Sequence, residues 1–99
     1  MSALTVPRIA VPTANDAIEI VNRWLHREVG IALHTTTARF DDPTFCWHLP
    51  IELAYPSRGT LGVVGDVYIN AATGNFAGRP EVEELVRRAE ALAAYSGID

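Results

Sequence analysis

Three side chains in the middle of the chain carry the donor atoms that bind zinc: His34, Cys46 and His48. Zn²⁺ in proteins takes four ligands from imidazole nitrogen, thiolate sulfur and carboxylate oxygen. Cys46 and His48 are two residues apart, so a strand would place both on one face, and a neighbouring strand would bring His34 beside them. Glu52 or a water would complete the site. No recognised ligand spacing is present, so we predict no metal and no cofactor, and keep a small metal protein or enzyme using these three residues as an alternative.

Nucleophilic catalysis is the next chemistry that a cysteine and a histidine suggest. Activated cysteines lie at helix N-termini or in electropositive clefts, whereas Cys46 lies in a strand-like segment. The carboxylates of Asp41 and Asp42 begin a proline turn, which explains them without catalysis. The glycines between positions 59 and 65 are not followed by a helix, as a phosphate-binding loop requires. The sequence therefore predicts a protein that is not an enzyme.

The elements that would position these side chains begin with a helix. Thr13 and Asp16 form the S/T-x-x-D/E pattern that satisfies free amides at a helix start. Apolar residues then recur every three or four positions, and Gly30 supplies a residue that ends a helix readily. The pattern predicts a helix from about Ala14 to about Glu28.

A second amphipathic helix is predicted at the C-terminal end. Pro80 suits the first turn of a helix, and the glutamates at 81, 83 and 84 complement its positive end. Apolar residues from Val82 to Ala93 form one stripe, and Ser96-Gly97 ends the helix.

The middle of the chain changes to a period of two. Apolar side chains alternate with other residues from Phe45 to Tyr55, which predicts a long strand with one buried face. The threonine-rich segment 33–40 predicts a partner strand, 63–70 a third, and 76–77 a short fourth. Pro50 lacks an N–H for the ladder, so it requires an edge or a bulge.

The sequence therefore predicts an α+β fold with the order helix, three- to four-stranded antiparallel sheet, helix. Each helix has one apolar stripe, and the apolar face of the long strand can bury both. Both helices are expected on that face. Residues 1–12 are predicted to form an extended arm, and 13–99 a single domain.

The opposite face of the sheet is the predicted contact surface. Inward-pointing Val63, Val67 and Ile69 would leave Tyr68 on this open face, and aromatic residues are favoured in interface centres. Five residues are predicted to bind a partner: His48, Glu52, Tyr55, Asp66 and Tyr68.

Charge and composition exclude several classes. The net charge is −4, lysine is absent, and no basic stripe is present, which argues against nucleic-acid binding. The adjacent Arg87 and Arg88 each follow a glutamate by four residues, so ion pairing within a helix explains them. No apolar stretch approaches the roughly 20 residues that span a bilayer, and no secretory signal is visible. We predict a cytoplasmic protein without membrane contact.

The segment from Gly65 to Phe76 has the pattern strand, Asp/Asn-x-x-Thr-Gly turn, strand, and resembles the hairpin of PepSY-type domains. This hairpin and the glutamate-rich segment 79–85 that follows it in the sequence are also similar to small immunity proteins of bacterial toxin systems. The resemblance implies a non-catalytic binding or inhibitory module and assigns no residue an individual role. The sequence thus favours a bacterial protein-binding module that masks or regulates a partner, as an immunity protein or antitoxin does. A self-assembling structural subunit or homodimer, paired through the apolar arm, is the remaining alternative.

Overall fold

Two helices and five antiparallel strands make up the part of the chain that this computed structural model describes, residues 9–30 and 32–97. The elements are, in chain order, α1 (Ala14–Glu28), β1 (Leu33–His34), β2 (Arg39–Asp41), β3 (Cys46–Tyr55), β4 (Gly59–Asn70), β5 (Phe76–Gly78) and α2 (Val82–Tyr95). The predicted α+β class and the helix, sheet, helix order are confirmed. The sheet has five strands rather than three or four because the predicted strand over 33–40 is divided in two.

Helix α1 begins and ends as its sequence predicts. The Thr13 hydroxyl accepts a hydrogen bond from the Asp16 amide at 3.1 Å and donates to the Asp16 carboxylate at 2.8 Å. The carboxylate thus holds the capping hydroxyl rather than a backbone amide. At the other end, the Gly30 amide donates to the Leu25 carbonyl at 2.8 Å and closes the last turn.

Helix α2 begins two residues after Pro80, so the proline precedes the helix instead of occupying its first turn. The predicted pairing of Glu84 with Arg88 is confirmed, at 2.8 Å. Arg87 pairs with the same carboxylate rather than with Glu83. Arg88 also donates to the Val64 carbonyl at 3.1 Å, which ties the helix to the edge of β4.

The N-terminus of α2 lacks a side-chain cap, because Glu81 occupies the cap position and makes no capping hydrogen bond. Serine at a cap position accepts a bond from a free amide of the first turn. We expect Glu81→Ser to raise the free energy of unfolding by about 0.5–1 kcal/mol, measured by urea denaturation. Glu83→Ser, inside the first turn, is the matched control, and equal effects of the two changes would contradict a capping origin.

Strand β3 is the centre of the sheet. It pairs with β4 along its whole length on one side and with the two short strands β1 and β2 on the other. Strand β5 pairs with the end of β4 and forms the far edge. The order across the sheet is therefore β1 and β2 together, then β3, β4 and β5.

The break between β1 and β2 explains how the central strand accommodates Pro50. The Ala54 amide donates to Ala32, so even-numbered residues of β3 direct their amides toward β1 and β2. Pro50 faces the interval 35–38, where the neighbouring chain has left the ladder. No strand faces the Pro50 nitrogen, so the missing N–H removes no hydrogen bond from the sheet.

Helix α1 supplies hydrogen-bond partners to the backbone of the segment between β1 and β2. The Asn22 amide oxygen accepts from the Thr35 N–H at 2.8 Å, and its nitrogen donates to the Thr35 carbonyl at 3.0 Å. Thr35 is fully buried, so both backbone groups need partners. One side chain thus satisfies both backbone groups of a buried residue that lies outside the strands.

Two bulges on β4 change which of its residues point inward. The register shifts between Ile51/Glu52 and Leu53/Ala54 insert one extra residue of β4 each time. Val64 is consequently buried, at 5% exposure, and Val63 is exposed at 56%. The predicted inward orientation is right for Val67 and Ile69 and wrong for Val63, because a bulge reverses the alternation on one side of it.

One apolar core joins both helices to the same face of the sheet, which we call the inner face. Its buried side chains include Trp24 and Leu25 of α1, Leu85 of α2, and Leu49, Ile51, Leu53, Val67 and Ile69 of the sheet. The predicted placement of both helices on one face is confirmed. Val11 belongs to this core as well, and its amide donates to Ala71 at 2.9 Å. Residues 1–8 of the predicted arm 1–12 lie outside the described residues.

Candidate functional site

The outer face, which the helices leave uncovered, presents the side chains that alternate with the core residues. Its members are His34, Arg39, Asp41, His48, Pro50, Glu52, Val63, Asp66, Tyr68 and Gly78. One line across four strands is central to it. Cross-strand pairing aligns Arg39 with His48, His48 with Tyr68, and Tyr68 with Gly78. We call these four residues the central row.

His48, Asp66 and Tyr68 form one contiguous group in the middle of the outer face. The imidazole of His48 stacks on the Tyr68 ring, with 4.9 Å between ring centres and an interplanar angle of 19°. Its Nε2 lies 2.8 Å from Oδ1 of Asp66 and donates to it, since a carboxylate accepts. Two neighbours therefore fix the histidine ring, and the histidine in turn supports one face of the tyrosine.

Tyr68 is 41% exposed, although its ring is held in place. A rigid aromatic ring loses little conformational entropy when it is buried by a partner, which is why tyrosine is enriched among binding hot spots. The predicted outward orientation of Tyr68 is therefore present in the structure, together with the support that makes it suitable for contact.

Gly78 leaves an open slot beside the tyrosine. A Cβ atom built on Gly78 would approach only Cδ2 of Tyr68, at 3.6 Å, among the atoms outside its neighbouring residues. His48 covers one face of the Tyr68 ring, and the cross-strand neighbour of Tyr68 on β5 is Gly78, which has no side chain. The cross-strand position on this side of Tyr68 is thus not filled by a side chain of residue 78.

The outer face has more negative than positive fixed charge. Three carboxylates, those of Asp41, Glu52 and Asp66, are opposed by the guanidinium of Arg39. Glu52 accepts from the Thr36 hydroxyl at 3.2 Å and lies on the same face as His48, two positions beyond Pro50. Four of the five predicted partner-binding residues, His48, Glu52, Asp66 and Tyr68, thus share one surface.

Tyr55, the fifth predicted partner-binding residue, does not belong to that surface. It has the same alternation as Leu53 and packs against the core on the helix-covered side. There it lines an apolar groove between the helices, together with Val29 of α1 and Val86 of α2. Its position at the last residue of an eleven-residue alternation already indicates the inner face.

The three candidate metal ligands are not gathered at one point. His34 pairs with Glu52, which is six positions along β3 from Cys46, a distance of roughly 20 Å. The Cys46 thiol is buried and donates to the Thr44 carbonyl at 3.3 Å. Over residues 9–30 and 32–97, no three histidine, cysteine or acidic side chains form a group suited to a metal.

A second apolar surface, which the sequence did not indicate, lies at the end of β3 beside the N-terminal segment. Phe45 precedes the strand rather than joining it, has a φ of 55°, and is 40% exposed. Its ring contacts Phe40 edge-on at 5.4 Å, and Phe40 contacts Trp47 at 5.1 Å. A left-handed backbone at a phenylalanine is uncommon, and here Phe45 is the last residue of the turn 42–45, in which its N–H donates to the Asp42 carbonyl at 3.2 Å.

Comparison with known proteins adds no relative. No protein-family model matches the sequence, and searches of curated proteins and of solved structures give no match either. Neither α1 nor α2 is long and apolar enough to cross a membrane.

Proposed function

We propose that this chain is a non-catalytic protein-binding module that masks or regulates a partner protein, and that the outer face is its docking surface. The observation that carries the proposal is the half-exposed Tyr68 ring, fixed by His48 and Asp66 in the middle of a face that no helix covers. Interface centres favour such pre-organised aromatic residues, because little entropy is lost on binding.

The chemistry of the described residues supports a binding role over catalysis. The Cys46 thiol is buried and engaged with a backbone carbonyl, and His48 lies on the outer face with Tyr68 and Asp66. The resemblance to PepSY-type domains and immunity proteins agrees with this role, and immunity- or antitoxin-like masking is the specific form that we propose. Bacterial origin and a cytoplasmic location stay predictions, as does the homodimer alternative.

The test is affinity capture from a lysate of the organism that encodes the chain, with matched variants. We expect Tyr68→Ala to weaken binding of the captured partner by about tenfold or more, since truncation removes the central aromatic contact. His48→Ala is expected to weaken it less, because it removes the support and leaves the ring. Binding is quantified by titration of the partner identified with the wild-type chain.

Tyr95→Ala is the matched control, because Tyr95 is a tyrosine 90% exposed on α2, away from the outer face. Circular dichroism and thermal unfolding establish that all variants fold. Equal retention of the partner by the Tyr68 and Tyr95 variants would reject the outer face as the docking surface. Recovery of only further copies of the same chain would favour the homodimer instead.

A further inference from the structure

We propose that the slot above Gly78 receives an arginine side chain of a basic partner protein, with its guanidinium on the free face of Tyr68 and paired with Asp66. This inference rests on the proposed function and names the chemistry of the partner. It is carried by three separate features of the outer face: the missing side chain at Gly78, the exposed Tyr68 ring and the carboxylate of Asp66.

The shape of the slot selects a flat, narrow group. Its floor is the backbone of Gly78, and its wall is the Tyr68 ring, at 3.6 Å from where a Cβ would stand. Cross-strand neighbours in a sheet contact each other through their side chains. Any side chain at position 78 would therefore pack against the Tyr68 ring and fill the slot. A guanidinium is planar and stacks on aromatic faces, which a compact ammonium group does less well.

The carboxylate beside the slot selects a cation, because the adjacent Arg79 guanidinium lies over the Trp24 and Phe76 rings of the inner face. Asp66 lies two residues from Tyr68 on the same face of β4, roughly 7 Å along the strand. His48 engages its Oδ1, and Oδ2 has no hydrogen-bond partner among the residues that the structure describes. The tyrosine face attracts cations, and a carboxylate at its edge adds a hydrogen-bonded ion pair.

Arg39, the positive charge of the central row, is placed where it does not oppose this contact. It lies on β2, and the slot lies on β5, three strand spacings or about 14 Å away. That separation exceeds the distance of about 8 Å over which physiological salt screens exposed charges. A partner with a basic surface is also complementary to the chain as a whole, with twelve acidic against eight basic residues.

The test uses N-acetyl-arginine amide as the probe, titrated into the ¹⁵N-labelled chain at constant ionic strength and followed by NMR. We expect saturable shifts that centre on Gly78, Tyr68 and Asp66. The neutral isostere N-acetyl-citrulline amide, with the same planar shape, should give no saturable chemical-shift changes. N-acetyl-lysine amide should bind about twofold to fivefold more weakly, because it lacks the planar stacking surface.

Two variants assign the binding to the slot. Gly78→Val fills the space beside the ring and should abolish the saturable shifts, while Asp66→Asn keeps the shape and should weaken binding by about fivefold. Arginine shifts that persist in Gly78→Val, or that spread evenly over acidic residues elsewhere, would overturn the proposal. If partner capture depends on Tyr68 but the arginine probe does not reach Gly78, the binding function stands and the arginine is rejected. If neither occurs, both fail.

Discussion

Replacing Asn22 with alanine is expected to lower the free energy of unfolding by about 2–4 kcal/mol, because it leaves two buried backbone groups without partners. Asn22 serves both the N–H and the carbonyl of Thr35, at 2.8 and 3.0 Å. Thr35 is fully buried, so water cannot replace the lost bonds without opening the structure. Urea denaturation monitored by tryptophan fluorescence measures the change.

A series at position 22 separates the hydrogen bonds from the lost side-chain volume. Asn22→Asp keeps the acceptor for the Thr35 amide and loses the donor to its carbonyl, whereas Asn22→Leu keeps the volume and loses both. The Thr35 amide should therefore exchange its hydrogen more slowly in Asn22→Asp than in Asn22→Leu. Asn15→Ala, at an exposed asparagine on the same helix, is the control. A loss below about 0.5 kcal/mol in Asn22→Ala would contradict the role of this side chain.

Valine at position 65 is expected to destabilise the fold by about 2–3 kcal/mol, because α2 packs directly on the backbone there. A Cβ on Gly65 would stand 3.0 Å from Cδ2 of Leu85 and 3.1 Å from Cγ of Pro80. Leu85 is completely buried and Pro80 is rigid, so neither yields without moving the helix. The size of the loss is read from denaturant unfolding.

The neighbouring edge strand offers a matched control for this substitution. Gly78→Val introduces the same side chain into the same sheet where only Tyr68 lies within contact distance, so its effect should stay within about 0.5 kcal/mol. A double-mutant cycle of Gly65→Val with Leu85→Ala should give a combined loss smaller than the sum of the single losses. Strict additivity of the two changes would show that the valine does not press on the leucine.

The helices and the long strand were predictable because local signals determine them. The Thr13 cap, the spacing of the apolar stripe and Gly30 define α1 to the residue, and the alternation from Phe45 to Tyr55 defines β3 with an error of one residue. Such signals act between residues close in the chain. The common inner face follows from them, because two amphipathic helices and one half-apolar sheet have a single way to bury their stripes.

The candidate site was predictable in part, for the same reason. Alternation places His48 and Glu52 on one side of β3, and Tyr68 on the corresponding side of β4. The direct contacts of His48 with Asp66 and Tyr68 depend on the register between β3 and β4. A one-residue difference in register exchanges the two faces, and the spacing of the residues does not determine it.

The amino-acid sequence by itself determined the helices, the central strand and the existence of an uncovered face, since propensity, capping and periodicity are properties of short segments. Only the tertiary structure decided the features that join distant segments: the bulges that bury Val64 and expose Val63, the bonds from the Asn22 side chain to the Thr35 backbone, and the slot between Tyr68 and Gly78. At each of these places, helix packing or cross-strand register determines the orientation of a residue, and the local period-two pattern does not. Packing of the whole core prevails there because it involves more buried surface than any single segment.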